Sequence, residues 1–194
     1  MLRSEIVSDP SEDLILVDSD DREIGALAKR ECHLGEGVLH RAFSIFIVNS
    51  QGAVLLQRRA AEKPLWPMYW SNAVCSHPRQ GETMSEAMAR RMLEELGVEC
   101  KLRFLYKFEY HANYKDVGSE RELCSVYIGG HDGPFDPNRS ELADLRFFTR
   151  EELSRRLAER PEQFTPWFKM EWRLIEAGLD ACGGEIGRLQ VRGG

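Results

Sequence analysis

The stretch from Trp70 to Val98 constrains this chain more than any other. It opens with Trp70-Ser71-Asn72-Ala73-Val74-Cys75-Ser76-His77-Pro78 and continues into a helical pattern marked at both ends. Thr83 with Glu86 three residues on forms a capping box, and Gly97 is a stop signal, so a helix is predicted from about Thr83 to Leu96. Met88, Met92 and Leu96 recur at helical spacing and predict a core-facing stripe. Ala87, Arg91 and Glu95 form the adjacent stripe, which puts a cation and an anion at the border of the buried face. If the run before the helix is extended, side chains at i and i+2 point the same way, so Cys75 and His77 share a face. A cysteine beside an apolar run is most often a small core residue and helix charges are most often solvated. The rest of the chain decides between packing and chemistry.

A chain of 194 residues, 42% hydrophobic and 30% charged, suits one soluble globular domain with a real core. The net charge of -6 argues against a general nucleic-acid binder, while local basic groups remain free to meet an anionic small molecule. No signal-peptide core or membrane-length apolar run is present. The five cysteines are odd in number and lack a CxxC pair, which fits reduced thiols in a cytoplasmic protein. Residues 1–13 read as polar and loosely ordered. Leu14 to Val17 and Glu23 to Leu27 read as paired strands, as do Ala42 to Val48 and Ala53 to Gln57, the second pair delivering Arg58 and Arg59. Val98 to Phe108 reads as a long strand, His111 to Ser119 as a polar loop, and Glu120 to Ile128 as a strand with Glu120 and Glu122 on one face. A short strand at Leu145 to Phe148, a helix capped by Thr149, a final helix from Pro166 to Leu179 and a Gly-rich end complete the reading. The expected architecture is a single α/β (α+β) domain, a mixed sheet with helices on both sides.

Among the polar residues, His33, His40, His77, Glu120 and Glu122 would give three nitrogens and two or three oxygens if they converge. That donor set suits a six-coordinate ion of the Mg²⁺ or Mn²⁺ type and also admits Zn²⁺; the alternative is histidines that are packed or solvated. Lys29, Arg59, Lys63 and Arg91 could together hold a diphosphate, although any one of them alone is better read as a solvated surface charge. His111 and His131 read as ordinary surface residues.

Glu82, Arg90, Glu94-Glu95 and Gly97-Val98 resemble a Nudix box, G-x5-E-x7-R-E-U-x-E-E-x-G-U, with two departures. Ser76 stands in place of the first Gly, and Arg91 in place of the first helical Glu. In the hydrolases that Glu helps hold the catalytic metals, so a cation there favours binding a diphosphate intact over cleaving it. With Cys75-Ser76-His77-Pro78, the His33 and His40 pair, Arg58-Arg59, Lys63, Trp66-Pro67, Glu120-x-Glu122 and Pro166-Trp167, the chain resembles the type I isopentenyl-diphosphate isomerases, a branch of the same superfamily. The resemblance runs from about Lys29 to Trp167.

That resemblance implies a Nudix-like fold over 29–180, preceded by an extension and hairpin over 1–28 and followed by a tail over 181–194. It implies one divalent ion on His33, His40, His77, Glu120 and Glu122, and a second, Mg²⁺, on Glu95 and the backbone carbonyl of Cys75. Lys29, Arg59, Lys63, Ser76 and Arg91 would contact the diphosphate. Cys75 and Glu122, with Tyr110 beside Glu122, would be the acid–base pair interconverting isopentenyl and dimethylallyl diphosphate in isoprenoid biosynthesis. Trp167 would offer a π face to the tertiary cation, worth ~0.5–2 kcal/mol. The expected protein is a monomer with no nucleic-acid partner. The competing readings are a Nudix diphosphohydrolase, which Arg91 argues against, and a non-catalytic binding domain, which Cys75, Tyr110 and Glu122 argue against.

Overall fold

The structure, a computed structural model, describes residues 3–181. Its centre is strand β3 (His40–Val48), whose alternating side chains feed two cores. Phe43, Ile45 and Ile47 point to one face and meet Met88, Met92 and Leu96 of helix α2 (Met84–Leu96). Ala42 and Phe46 point to the other, where Phe168, Trp172 and Ile175 of helix α4 (Pro166–Ala181) cover them. A strand apolar on both faces must be buried on both, so the helix–sheet–helix sandwich follows from this pattern.

Strand β8 (Gly118–Gly130) runs parallel to β3 along its whole length, from His40 opposite Glu122 to Val48 opposite Gly130. Three antiparallel partners share the other edge of β3: β1 (Asp13–Val17) at His40, β6 (Val74–Ser76) at Phe43 to Ile45, and β4 (Val54–Arg59) at Ile47 and Val48. Strand β2 (Glu23–Ala28) flanks β1, β5 (Trp70–Asn72) and β9 (Leu142–Phe148) flank β4, and β7 (Leu102–Tyr114) flanks β8. Helix α3 (Arg150–Glu159) starts at the expected Thr149 cap, where the Thr side chain accepts from Glu152 N–H. The Thr83–Glu86 capping box of α2 is complete, and Gly97 closes the helix at φ 68°, a left-handed conformation that suits glycine.

Several expectations need correction. The stretch from His111 to Ser119 is not a loop: β7 and β8 continue as one hairpin to Tyr114 opposite Gly118. Its outer side chains are solvated, so they are polar without breaking the ladder. The run from Trp70 to His77 is extended but divided at Ala73, with β5 pairing to β4 and β6 to β3. Lys29–Cys32 forms a one-turn helix, α1, too short to leave a periodic signal. In α4, Leu174 is half exposed, while the buried positions include Glu171. The first residues are tied down: the Val7 carbonyl accepts from Arg91 at 3.0 Å and the Glu5 carbonyl from Asn138 at 2.9 Å. Of the Gly-rich end, residues 182–194 lie outside the described residues.

Gly118 couples the hairpin to the one-turn helix. A Cβ at this position would run into the carbonyl oxygen of His33, which accepts from Ser119 N–H at 3.0 Å. The Gly118→Ala variant is therefore expected to lose ~1–3 kcal/mol of stability through overpacking. Thermal unfolding checks this, and a wild-type midpoint would contradict the close packing.

Candidate functional site

The register of β3, β8 and β7 lines up the first part of the site. His40 lies opposite Glu122 on one side, and Tyr110 lies opposite Glu122 on the other. Glu120 projects to the same face two residues away, His33 closes α1, and His77 follows β6. One ligand atom from each of His33, His40, His77, Glu120 and Glu122 lies within 4.8 Å of the others. The three imidazole centroids are 4.8–5.4 Å apart.

Hydrogen bonds orient these rings. His33 Nδ1 contacts the Lys29 carbonyl at 2.6 Å and His40 Nδ1 the Val38 carbonyl at 2.7 Å, so Nε2 of each faces the cluster as an acceptor when neutral. His33 Nε2 is 2.7 Å from Glu120, and His77 Nε2 is 2.8 Å from Glu122 Oε1. The hydroxyl of Tyr110 donates to Glu122 Oε2 at 2.7 Å. Burial holds His40 down at about 4, helped by His33, and burial with His40 and His33 holds His77 well below the ordinary range. Burial works to raise Glu120, but the adjacent His33 charge overturns it and brings the carboxyl to about 2. Burial and the Glu120 charge push Glu122 well up, and burial with Glu122 does the same to Tyr110.

The residues fit a divalent ion. His40 Nε2 and His77 Nδ1 are buried without a hydrogen-bond partner, an arrangement a folded interior rarely leaves unanswered. Three imidazoles and two carboxylates supply the borderline and hard donors such an ion takes.

The cluster opens into a cavity of about 770 Å³ whose wall also includes Lys29, Arg59, Lys63, Cys75, Ser76, Arg91 and Trp167. Arg59 is aimed by the loop before β5, where the carbonyls of Leu65 and Trp66 accept from its guanidinium at 2.9–3.3 Å. That loop holds Trp66 and Met68 at φ 46° and 66°, a strained arrangement of order 1–3 kcal/mol per residue. Lys29 Nζ donates to Ser8 Oγ at 2.6 Å. Burial, with the Arg91 and Lys63 charges, lowers Lys29 to about 8.

Arg91 is buried and donates to Glu95 Oε1 and Glu141 Oε2 at 2.8 Å, to Glu94 at 3.1 Å and to the Val7 carbonyl. Its fork is thus engaged by carboxylates and the N-terminal strap in this state. Lys63 also pairs with Glu141. Glu95 itself stands behind the cavity wall, held by Arg91 and by Gln57 Nε2 at 3.3 Å, and His40 likewise lies behind the wall.

Cys75 is half-buried with its Sγ donating to Asn72 Oδ1 at 2.7 Å and accepting from Trp167 Nε1 at 3.2 Å. Burial pushes the thiol up to about 12. Trp167 is both core and cavity wall, and the Arg59 guanidinium lies 5.4 Å from its ring centroid.

Sequence reasoning missed Asn72, Glu141 and Glu171. Asn72 sits inside the opening motif yet carries no spacing signal, and Glu141 lies in an irregular segment that only folding brings to Lys63 and Arg91. Glu171 had a visible signal: it occupies the apolar stripe Trp167, Phe168, Trp172, Ile175 at helical spacing.

The model of the NUDIX domain family matches residues 38–168. The fold resembles DR0079 from Deinococcus radiodurans, with a TM-score of 0.64 and 27% identity, over 77% of this chain and 90% of that one. A MutT protein from Methanosarcina mazei matches with a TM-score of 0.60 over 76% of this chain and 96% of that one, at 15% identity, a likeness of fold alone. A Nudix fold carrying this imidazole–carboxylate cluster is therefore the class. More similar in sequence are the isopentenyl-diphosphate Delta-isomerase 1 of Photorhabdus laumondii, 45% identical over 84% of this chain and 94% of that protein, and the isopentenyl-diphosphate Delta-isomerase of Burkholderia multivorans, 42% identical over 81% and 89%. The chain belongs to the isopentenyl-diphosphate Delta-isomerase family within the Nudix group.

Two outcomes follow from the geometry. A divalent ion tested singly (Mg²⁺, Mn²⁺ or Zn²⁺) at about 100 times its Kd is expected to stabilise the protein by ~2.7 kcal/mol, an effect His77→Ala removes; thermal unfolding with and without chelator reads it. Inorganic diphosphate is expected to bind less tightly as pH rises above about 8, because Lys29 loses its charge there. Calorimetric titration of wild type against Lys29→Met, whose profile is expected to be flatter, checks the sign.

Proposed function

We propose that the protein interconverts isopentenyl and dimethylallyl diphosphate by adding a proton to one end of the allylic system and removing one from the other. The observation that carries this reading is the shared cavity, whose lining combines a thiol, the hydrogen-bonded Tyr110–Glu122 pair and four cations. Lys29, Arg59, Lys63 and Arg91, with Ser76, grip the diphosphate, which leaves the hydrocarbon toward Cys75, Trp167 and Glu122. For Arg91 to reach the anion, the Val7 carbonyl must yield its hydrogen bond.

His33, His40, His77, Glu120 and Glu122 would hold one divalent ion, Mn²⁺ or Mg²⁺ with Zn²⁺ as a third candidate, and Glu95 with the Cys75 carbonyl would hold a second, Mg²⁺. When bound, the first ion raises the acidity of the groups around it and the second offsets the charge of the diphosphate. The residues of the chain then carry the proton. An isolated alkene is a very weak base, so its partner must be a strong acid in a dry pocket. Glu122, hydrogen-bonded to Tyr110, fills that role better than a thiol of reference pKa ~8.5. A proton passes from the Glu122 side to the terminal alkene carbon, forming a tertiary cation beside Trp167. Cys75, as thiolate, then takes a proton from the allylic carbon, and the new double bond forms. In the reverse direction the two roles exchange. The hydrolase alternative is disfavoured because Arg91 occupies a metal-binding Glu position of the Nudix box.

We place the enzyme in the cytoplasm as a monomer; Cys32, Cys75, Cys100 and Cys124 are free thiols, and no helix among the described residues is long and apolar enough to cross a membrane.

Incubation with isopentenyl diphosphate in D₂O is expected to put deuterium into the product, with no phosphate released. Cys75→Ala is expected to lower kcat by ~10²–10⁴-fold. Normal turnover by that variant would remove Cys75 from the mechanism, and phosphate release would favour the hydrolase.

A further inference from the structure

One part of the cavity wall comes from the N-terminal segment before β1, which is anchored at both ends. At its start, the Arg3 carbonyl accepts from Arg139 N–H at 2.7 Å, and the Glu5 carbonyl accepts from Asn138 Nδ2 at 2.9 Å and Ser140 Oγ at 2.5 Å. At its end, the Pro10 and Glu12 carbonyls accept from Arg30 and Lys29 N–H at 2.9 and 2.8 Å, where α1 begins. The residues between these anchors that line the cavity alternate: Ser4, Ile6, Ser8 and Pro10. Glu5 and Asp9 fall between them and are exposed, and the Asp9 carboxylate is taken up by Ser11 N–H and Oγ at 2.8 and 2.7 Å. Alternation of this kind sorts side chains by parity. A strap in the opposite phase would aim two carboxylates at the cations of the cavity.

Ser8 lies between the anchors and is half-buried. Its Oγ accepts from Lys29 Nζ at 2.6 Å, and the neighbouring Val7 carbonyl accepts from Arg91 Nη1 at 3.0 Å. Two adjacent strap residues thus meet two of the four cations assigned to the diphosphate. They differ in what they can offer an anion. The Val7 carbonyl has only lone pairs and must withdraw, whereas a serine hydroxyl accepts and donates at once. Ser8 Oγ is engaged only as an acceptor, and among the described residues nothing accepts its proton. A phosphoryl group carries several oxygens, so one on the Lys29 ammonium leaves another within reach of the hydroxyl bonded to that ammonium.

We propose that Ser8 is a substrate-binding residue whose hydroxyl donates to a phosphoryl oxygen of the diphosphate held by Lys29 and Arg91. The proposal rests on the reading of those cations as the diphosphate grip. When the anion enters, Arg91 exchanges the Val7 carbonyl for it. Ser8 keeps its place beside Lys29 and turns its proton to the phosphoryl group. The strap thereby adds a neutral donor to the grip, and the parity of its side chains keeps Glu5 and Asp9 away from the substrate. A hydrogen bond made equally to bound substrate and transition state strengthens binding without altering the chemical step, so the contribution of Ser8 falls on KM.

Calorimetric titration of the full chain with inorganic diphosphate, at constant pH and Mg²⁺ concentration, tests this. It compares wild type, Ser8→Ala, Lys29→Met and the double variant, with Ser11→Ala as a control elsewhere on the strap. Ser8→Ala is expected to weaken binding about tenfold, the loss of one hydrogen bond to a charged group. Its KM for isopentenyl diphosphate is expected to rise by a similar factor with kcat unchanged. Ser11 lies outside the cavity wall, so Ser11→Ala is expected to bind as wild type does. In the Lys29→Met background Ser8→Ala is expected to weaken binding further, because a direct hydrogen bond to the anion survives the loss of Lys29. Wild-type affinity in Ser8→Ala, an equal loss in Ser11→Ala, or a fall in kcat at unchanged KM would overturn the proposal. No further loss in the double variant would also overturn it, by reducing Ser8 to an aid that aims Lys29. Should Lys29→Met fail to fold, Lys29→Gln takes its place in the cycle. Wild-type affinity in the Lys29 variant overturns the grip and the proposal together, whereas a weakened Lys29 variant beside an unaffected Ser8→Ala overturns the role of Ser8 alone.

Discussion

The parallel pairing of β3 with β8 is the constraint on which the rest of the structure depends. It sets His40 against Glu122, and through the β7–β8 hairpin it sets Tyr110 against the same carboxyl. A slip of one residue would turn every side chain of β8 to the opposite face. Glu120 and Glu122 would then turn to the face on which Leu123 packs against Ile15 and Val17, and the imidazoles would lose their carboxylates. The same strand buries Phe43 and Ile45 on one side and Phe46 on the other. Hydrophobic packing thus fixes the register that the polar site requires.

A second constraint is electrostatic. Arg91 and Glu95 are almost fully buried, and Arg91 bridges Glu95 to Glu141, which in turn holds Lys63. Burial pushes Glu95 up despite Arg91, whereas Lys63 and Arg91 outweigh burial at Glu141 and bring it to about 2. Removing one member of such a group leaves a buried charge without its partner, which costs ~3–5 kcal/mol. The cluster therefore keeps two cations, Lys63 and Arg91, beside the cavity with the cost of their burial offset by carboxylates.

Much of this was readable along the chain. The capped helix, the hairpin of β3 and β4, and Cys75, His77, Glu120 and Glu122 as candidate residues all carry local signals: spacing, capping residues, or rare residue types beside apolar runs. The hairpin tip from His111 to Ser119 was not, because strands solvated on one face alternate weakly and resemble a polar loop. Glu141 was also hidden, since neither spacing nor a capping role distinguishes it. Glu171 interrupts an apolar stripe, a signal whose meaning depends on what the helix packs against.

By itself the sequence determined the helix bounded by Thr83 and Gly97, the two-faced apolar strand, and which residue types were available for chemistry. These are local properties, set by backbone conformation and periodicity within a few residues. The tertiary structure alone decided that residues as distant as His33 and Glu122 converge, that Arg91 is turned onto carboxylates, and that Ser44 meets both Cys75 and Cys124. Such contacts depend on strand register and helix packing between segments far apart in the chain, and no spacing along one segment encodes them.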